Sequence, residues 1–183
     1  IFKITMLGIK YFPYNLDIEG KKVIVRVDLN VPLKDKKIQD STRIEQVIPF
    51  LQHLVKKKAK IILISHLGRP KGTRDSALSL LPIYKYLKDK LSTNLYFYTG
   101  EINDEVKSKS SYLKESEVLL IENIRFFKEE TENDEHFSRK LGALGEVYIN
   151  DAFSCSHRKH SSIHNITKFV KEIYAGPLME KEI

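Results

Sequence analysis

The feature that most constrains the fold is an alternation, along the whole chain, between short apolar runs and longer segments of helical period. The runs are Val23 to Leu29 (VIVRVDL), Lys60 to Ser65 (KIILIS), Leu95 to Tyr98 (LYFY), Val118 to Asn123 (VLLIEN) and Val147 to Phe153 (VYINDAF). Each has strand length and is rich in β-branched or aromatic residues. Most are apolar at consecutive positions, the mark of strands covered on both faces, as parallel strands are. The clearest helical segment begins after the capping candidates Asp40 and Ser41 and places Ile44, Val47, Ile48, Leu51, Leu54 and Val55 on one face. It runs into Lys56 to Lys58, cations suited to the negative end of a helix dipole and read as a solvated helix end. Further helical patterns follow Leu81 (PIYKYLKDKL), Asn103 (NDEVKSKSSYL), Thr131 (ENDEHFSRKLGAL) and Ser161 (SSIHNITKFV). Strand and helix in alternation predict βαβ units, hence a three-layer α/β fold with a largely parallel sheet and helices on both faces.

Length and composition bound this further. The 183 residues, 42% of them hydrophobic, suffice for about one domain with a real core. No repeat or Gly/Ser linker divides them, so residues 1–183 are expected to form a single domain. One cysteine, Cys155, excludes a disulfide framework and fits a reducing compartment. The longest aliphatic runs, Ile61 to Ile64 and Val118 to Ile121, fall far short of the roughly 20 residues of a membrane helix. The chain starts at Ile1, and Ile1 to Pro13 (IFKITMLGIKYFP) carries no small-residue cleavage site, so it does not read as a signal peptide. A cytoplasmic, monomeric protein with no membrane partner is expected. The net charge of +7 admits acidic partners from nucleic acid to phosphorylated metabolites; base-reading motifs and interleaved aromatics are missing, which argues against nucleic acid.

In an open parallel sheet, ligands bind at the carboxyl ends of the strands. Those ends are polar in this sequence. The first runs into Asp28, Leu29 and Asn30; the second into Ser65, His66, Leu67, Gly68 and Arg69; the fourth into Glu122, Asn123 and Arg125; the fifth through Asn150 and Asp151 to His157 and Arg158. Arg43 falls in the first turn of its helix, where the macrodipole disfavours a cation, so a compensating anion is expected. Guanidinium forks suit phosphate and carboxylate oxygens, while Asp28 and Asn30 offer an acceptor-only group and an amide. Together these specify a small molecule with phosphate, hydroxyl and carboxyl functions. Each arginine alone reads first as a solvated surface charge, and His66 alone as a satisfied loop histidine; it is the repetition at separate strand ends that argues for a site.

Neither GxxxxGK[ST] nor GxGxxG occurs, and GRPKGT (Gly68 to Thr73) lacks the spacing to wrap phosphates, so no cofactor or nucleotide site is expected in this chain. His157, His160 and His164 stand three and four apart without a cysteine or carboxylate at ligand spacing, and no metal site is expected. Cys155 and His157 are too close in sequence for a nucleophile and its base.

RVDLNVPL (Arg26 to Leu33), DSTRI (Asp40 to Ile44), SHLGRPKG (Ser65 to Gly72), LIENIRFFKEE (Leu120 to Glu130), YINDAFSCSHRKHSS (Tyr148 to Ser162) and AGPLMEKEI (Ala175 to Ile183) are ordered and spaced as in the N-terminal half of phosphoglycerate kinases, which the chain closely resembles. The resemblance implies a Rossmann-like half of a two-domain kinase acting in glycolysis. That kinase moves a phosphoryl group reversibly between 1,3-bisphosphoglycerate and Mg-ADP, giving 3-phosphoglycerate and Mg-ATP. It further implies that Asp28, Leu29 and Asn30 lie at the hydroxyl and carboxyl end of the substrate. Arg43 would be the catalytic residue facing the transferring phosphoryl group, and His66, Leu67, Gly68 and Arg69, with Arg125 and Arg158, would hold the 3-phosphate. Mg-ATP and Mg-ADP would belong to a C-terminal domain beyond Ile183, so this chain alone should not turn over. The rival reading is a stand-alone phosphometabolite-binding module without kinase activity. Three departures stand out: Ser154 where glycine is usual after DAF, Lys159 where alanine is usual, and Asn165 where glycine is common. Ser154 is expected to tighten the loop that presents Arg158.

Overall fold

The computed structural model describes residues 9–183; the reading of Ile1 to Pro13 as no signal peptide falls largely on residues 1–8, outside the described residues. In chain order the elements are β1 (Lys22–Arg26), β2 (Leu33–Lys34), β3 (Lys37–Ile38), α1 (Thr42–Lys56), β4 (Lys60–Ile64), α2 (Leu81–Lys90), β5 (Leu95–Tyr98), α3 (Asp104–Ser111), β6 (Val118–Ile121), α4 (Lys128–Thr131), α5 (Glu135–Gly142), β7 (Val147–Asn150), β8 (Glu172–Ala175) and α6 (Pro177–Glu182). Six strands form one sheet in the order β5-β6-β4-β1-β7-β8, every pair parallel, while β2 and β3 make a separate antiparallel hairpin.

Alternate residues of the strands feed two cores. Val23, Val25, Ile61, Leu63, Val118, Leu120, Val147 and Ile149 pack with Ile44, Val47, Leu51 and Leu54 of α1 and with Ile83 and Leu87 of α2. Ile24, Ile62, Ile64, Leu119, Ile121 and Tyr148 pack on the opposite face with Val106 of α3 and with Phe137 and Leu141 of α5. This is the three-layer arrangement expected from strands apolar on both sides. The chain steps outward from β1 through β4 to β5 with helices on one face, then returns to β6 and β7 with helices on the other, as crossovers of a single hand require.

Several local expectations are corrected. The strands stop at Arg26, Ile121 and Asn150, short of the polar residues assigned to their ends, because those residues turn into the loops. The helix expected after Ser161 reduces to a 3-10 turn at Asn165–Lys168. The strand β8, the hairpin β2–β3 and the helix α6 lie where no element was expected. Ser41 sits at the start of α1 without a side-chain cap; Asp40 does that work, its carboxylate accepting from Thr42 N–H at 2.9 Å and from the Thr42 hydroxyl at 2.6 Å. Lys58 at the far end of α1 pairs with Glu19 at 2.8 Å in the open, as a solvated helix end does.

Candidate functional site: a cationic crevice at four adjacent strand ends

The sheet order brings β6, β4, β1 and β7 side by side, and these four strands end in the polar loops. The chain leaves β1 and β4 towards the face covered by α1 and α2, and leaves β6 and β7 towards the opposite face. Diverging loops open a crevice at their strand ends, where open α/β sheets take ligands.

The floor of the crevice is set by Arg26, the last residue of β1 and the largest fully buried side chain among the described residues. Sequence reasoning missed it, although a lone arginine inside VIVRV is itself a signal that a charge needs partners in the core. Its Nε donates to the Ser162 hydroxyl at 2.9 Å, and its terminal nitrogens to the Val27 carbonyl at 2.5 Å and to His66 Nδ1 at 2.9 Å. Ser162 in turn donates to Glu130 Oε1 at 2.6 Å, and its own N–H reaches Glu130 Oε2 at 2.9 Å. Burial pushes the Glu130 carboxyl up, opposed by Arg26 and the Ser162 hydrogen bonds. Tyr148, also fully buried, donates its hydroxyl to the Ser162 carbonyl at 2.7 Å. The buried ions are thus joined through one serine.

A guanidinium only donates, so His66 Nδ1 must accept and the ring proton sits on Nε2. Burial, with Arg26 next and then Arg125, drives His66 down to about 2, and the ring is neutral at any physiological pH. His160, 8% exposed, is pushed down to about 4 by burial and then by Arg125 and Arg158. Arg125 is itself lowered, by burial first and then by Arg26 and Arg158. Three guanidinium groups therefore repel one another across the crevice, with Glu130 as the acid set among them. Arg125 donates to the Gly68 carbonyl at 2.9 Å, while its buried Nε has no partner among the described residues.

The rim is a second cluster. Asp28 accepts from Asn30 N–H at 3.0 Å through Oδ1, and through Oδ2 from Arg43 at 3.0 Å. The Asn30 side-chain oxygen accepts from Gly68 N–H at 2.9 Å, leaving its amide nitrogen without a partner among the described residues. Gly68 needs its glycine: its φ is +61°, and a Cβ would come within 2.7 Å of Leu78. Arg43 extends from the first turn of α1, and the Asp28 carboxylate with the Asn30 carbonyl at 3.2 Å compensates it there, where a bound anion had been expected.

Not every candidate converges. Leu29 and Leu67 are buried, and their N–H groups are taken by Ser65 Oγ at 2.9 Å and Asn123 Oδ1 at 3.2 Å, so both are engaged within the loops. Arg69 and His157 are exposed, and Arg69 makes no side-chain hydrogen bond or ion pair among the described residues. Arg158 is half-buried within reach of Arg125, His66 and His160. Glu122, Asn123 and Asp151 prove to be braces: Glu122 accepts from Ser79 and Leu80, Asn123 clamps the Leu67 and Leu78 carbonyls, and Asp151 accepts from the first turn of α6. A separate cavity of about 860 Å³ lies at the outer edge of β5, but its polar groups pair internally, Asn94 and Tyr96 both donating to Glu117.

Fold and site together define a parallel α/β domain with a cluster of arginines at its strand ends and a polar rim of Asp28, Asn30 and Arg43 beside it. The chain belongs to the phosphoglycerate kinase family, whose model matches residues 14–183. A phosphoglycerate kinase of Aquifex aeolicus is 47% identical over 170 residues, and a cytosolic phosphoglycerate kinase of wheat is 46% identical over 168. These matches cover 92% and 91% of this chain but 43% and 42% of the relatives. The solved phosphoglycerate kinase of Coxiella burnetii superposes with a TM-score of 0.83 at 32% identity, over 92% of this chain and 42% of that one. The chain thus spans less than half the length of the relatives it matches.

Proposed function

We propose that this chain is the phosphoglycerate-binding domain of a phosphoglycerate kinase, the glycolytic enzyme that transfers a phosphoryl group between 1,3-bisphosphoglycerate and ADP. The observation that carries the reading is the crevice itself: Arg26, Arg125 and Arg158 gather around His66, whose Nε2–H is left to donate, next to a rim of Asp28 and the free Asn30 amide. A phosphate dianion relieves the mutual repulsion of the guanidinium groups, and each charge-assisted hydrogen bond contributes about 1.5–3 kcal/mol. Asp28 accepts from the substrate hydroxyl and the Asn30 amide donates to its carboxyl end. Arg43 leaves Asp28 to face the transferring phosphoryl group, where a cation stabilises developing charge. Leu67 and Gly68 set the loop, and Arg69 closes from the surface onto the 3-phosphate.

Nucleotide and its magnesium would be held by the part of the family's length this chain does not match, in keeping with the missing phosphate-loop motifs. The whole of residues 1–183 then acts as one monomeric substrate domain with the nucleotide-binding half as its partner, in the cytosol, the compartment named for its wheat relative. No helix among the described residues is long and apolar enough to cross a membrane.

A titration of the 183-residue polypeptide with 3-phosphoglycerate, followed by backbone amide shifts, tests this. The parent is expected to respond in the Asp28, His66 and Arg125 loops at millimolar ligand, Arg125→Ala to respond at least tenfold more weakly, and Lys56→Ala to match the parent. ATP turnover should be undetectable. An unresponsive parent would overturn the assignment, and so would an Arg125→Ala variant that binds like the parent.

A further inference from the structure

Ser154 sits on the 3-10 turn Phe153–Cys155 that follows β7, at the position where the family resemblance leads one to expect glycine. Its hydroxyl donates to Asp28 Oδ2 at 2.5 Å, across the crevice and from 126 residues away in sequence. Asp28 thereby has three protein donors: Asn30 N–H on one oxygen, Arg43 and Ser154 on the other. The turn that presents Ser154 is itself fixed from behind. Ala152, Cys155 and Ile163 form a small buried cluster, Ser156 N–H closes on the Phe153 carbonyl at 3.0 Å, and Arg158 N–H closes on the Cys155 carbonyl at 3.0 Å. One short anchored stretch therefore carries both the hydroxyl that grips Asp28 and the backbone that carries Arg158.

We propose that Ser154 is a positioning residue that latches the β7 loop onto the Asp28 carboxylate, tying the part of the site that reads the hydroxyl and carboxyl end of the ligand to the loop that presents Arg158. Glycine at this position has no donor to offer, so the latch belongs to this chain rather than to the DAFG pattern. The hydroxyl also shares with Arg43 the negative charge of one carboxylate oxygen, and so eases the release of Arg43 from Asp28. A fixed carboxylate loses less freedom when it meets a ligand hydroxyl, and preorganisation of this kind raises affinity without a new ligand contact. The role of the latch in ligand binding rests on the proposed phosphoglycerate site; the latch itself does not.

The test compares the parent with Ser154→Ala, Ser154→Gly and Ser154→Thr. In the unliganded proteins the 13C resonance of the Asp28 carboxyl carbon should move in the alanine and glycine variants and stay near the parent position in the threonine variant, which keeps a hydroxyl. With 3-phosphoglycerate, the alanine and glycine variants should bind about three- to tenfold more weakly, the cost of a carboxylate no longer held in place before the ligand arrives. Inorganic phosphate, which needs only the guanidinium cluster, should bind all four within about twofold. An unmoved Asp28 resonance in Ser154→Ala overturns the latch whether or not any ligand binds. Equal losses for both ligands overturn the positioning role and leave Ser154 a general brace of the pocket. A parent that binds inorganic phosphate but not 3-phosphoglycerate overturns the proposed function, with the carboxyl resonance still deciding the latch.

Discussion

Ser162 carries more of the core's electrostatics than its size suggests. Arg26 and Glu130 are both 0% exposed, and each satisfies a hydrogen bond at the Ser162 hydroxyl, which accepts from one and donates to the other. Ser162→Ala would leave a guanidinium N–H and a carboxyl oxygen buried and unpaired, at a cost of about 3 kcal/mol. Urea unfolding checks this, and a change under about 1 kcal/mol would mean that the two ions meet without the serine. His66 adds a chemical consequence at the same scale. Because Arg26 occupies Nδ1, only Nε2–H is left to donate to anything else. None of this was legible in the sequence, where Ser162 is one of a pair of serines after a histidine. What makes it special is a strand 136 residues away and a helix 32 residues away in sequence that meet at its hydroxyl.

At the scale of elements, α6 depends on a residue outside itself. Asp151, just past β7, accepts from Leu178 N–H at 2.7 Å and from Met179 N–H at 3.4 Å, capping a helix whose own start, Gly176, has no side chain. Burial raises the Asp151 carboxyl to about 6, against the pull of those two N–H groups. A Cβ at Gly176 would collide with the same carboxylate, so the glycine is required by close approach and not by its φ of −81°. Gly176→Ala should therefore destabilise by about 1–3 kcal/mol and reduce hydrogen-exchange protection at Leu178 selectively; unchanged exchange there would show that the helix is held by its other contacts. The elements with a strong local signal, α1 to α3, α5 and β1, β4, β5, β6 and β7, were legible, whereas β8 was not. Glu172 to Ala175 (EIYA) is only four residues long and opens on a charge, and becomes a strand because β7 offers it an edge from Val147 to Asn150.

The whole molecule pays for its cationic crevice in acid. His66 and His160 are held neutral in the folded state, at about 2 and about 4, while unfolded histidines titrate near 6.5. Below that pH the unfolded chain binds protons the folded chain refuses, so these two groups lower stability as pH falls from about 6.5 towards about 4. Asp151 acts in the opposite sense: its folded value of about 6 lies above the unfolded one, so its contribution grows as pH falls through the same range. Thermal melts between pH 7 and pH 4 should show His160→Gln losing less stability than the parent and Asp151→Asn losing more. Parallel curves for parent and His160→Gln would contradict the depressed titration of that ring.

The sequence by itself determined the fold class and the chemistry of the strand ends, because periodicity and residue type are local properties that survive in any chain that hides its apolar faces. The strand order was decided only in the tertiary structure, since adjacency depends on which faces pack. It is the order β6-β4-β1-β7 that turns four separate polar loops into one crevice. The buried Arg26, the tautomer of His66 and the grip of Ser154 on Asp28 follow from that adjacency. A hydrogen bond across 126 residues leaves no periodic trace; it exists because two parallel strands end side by side.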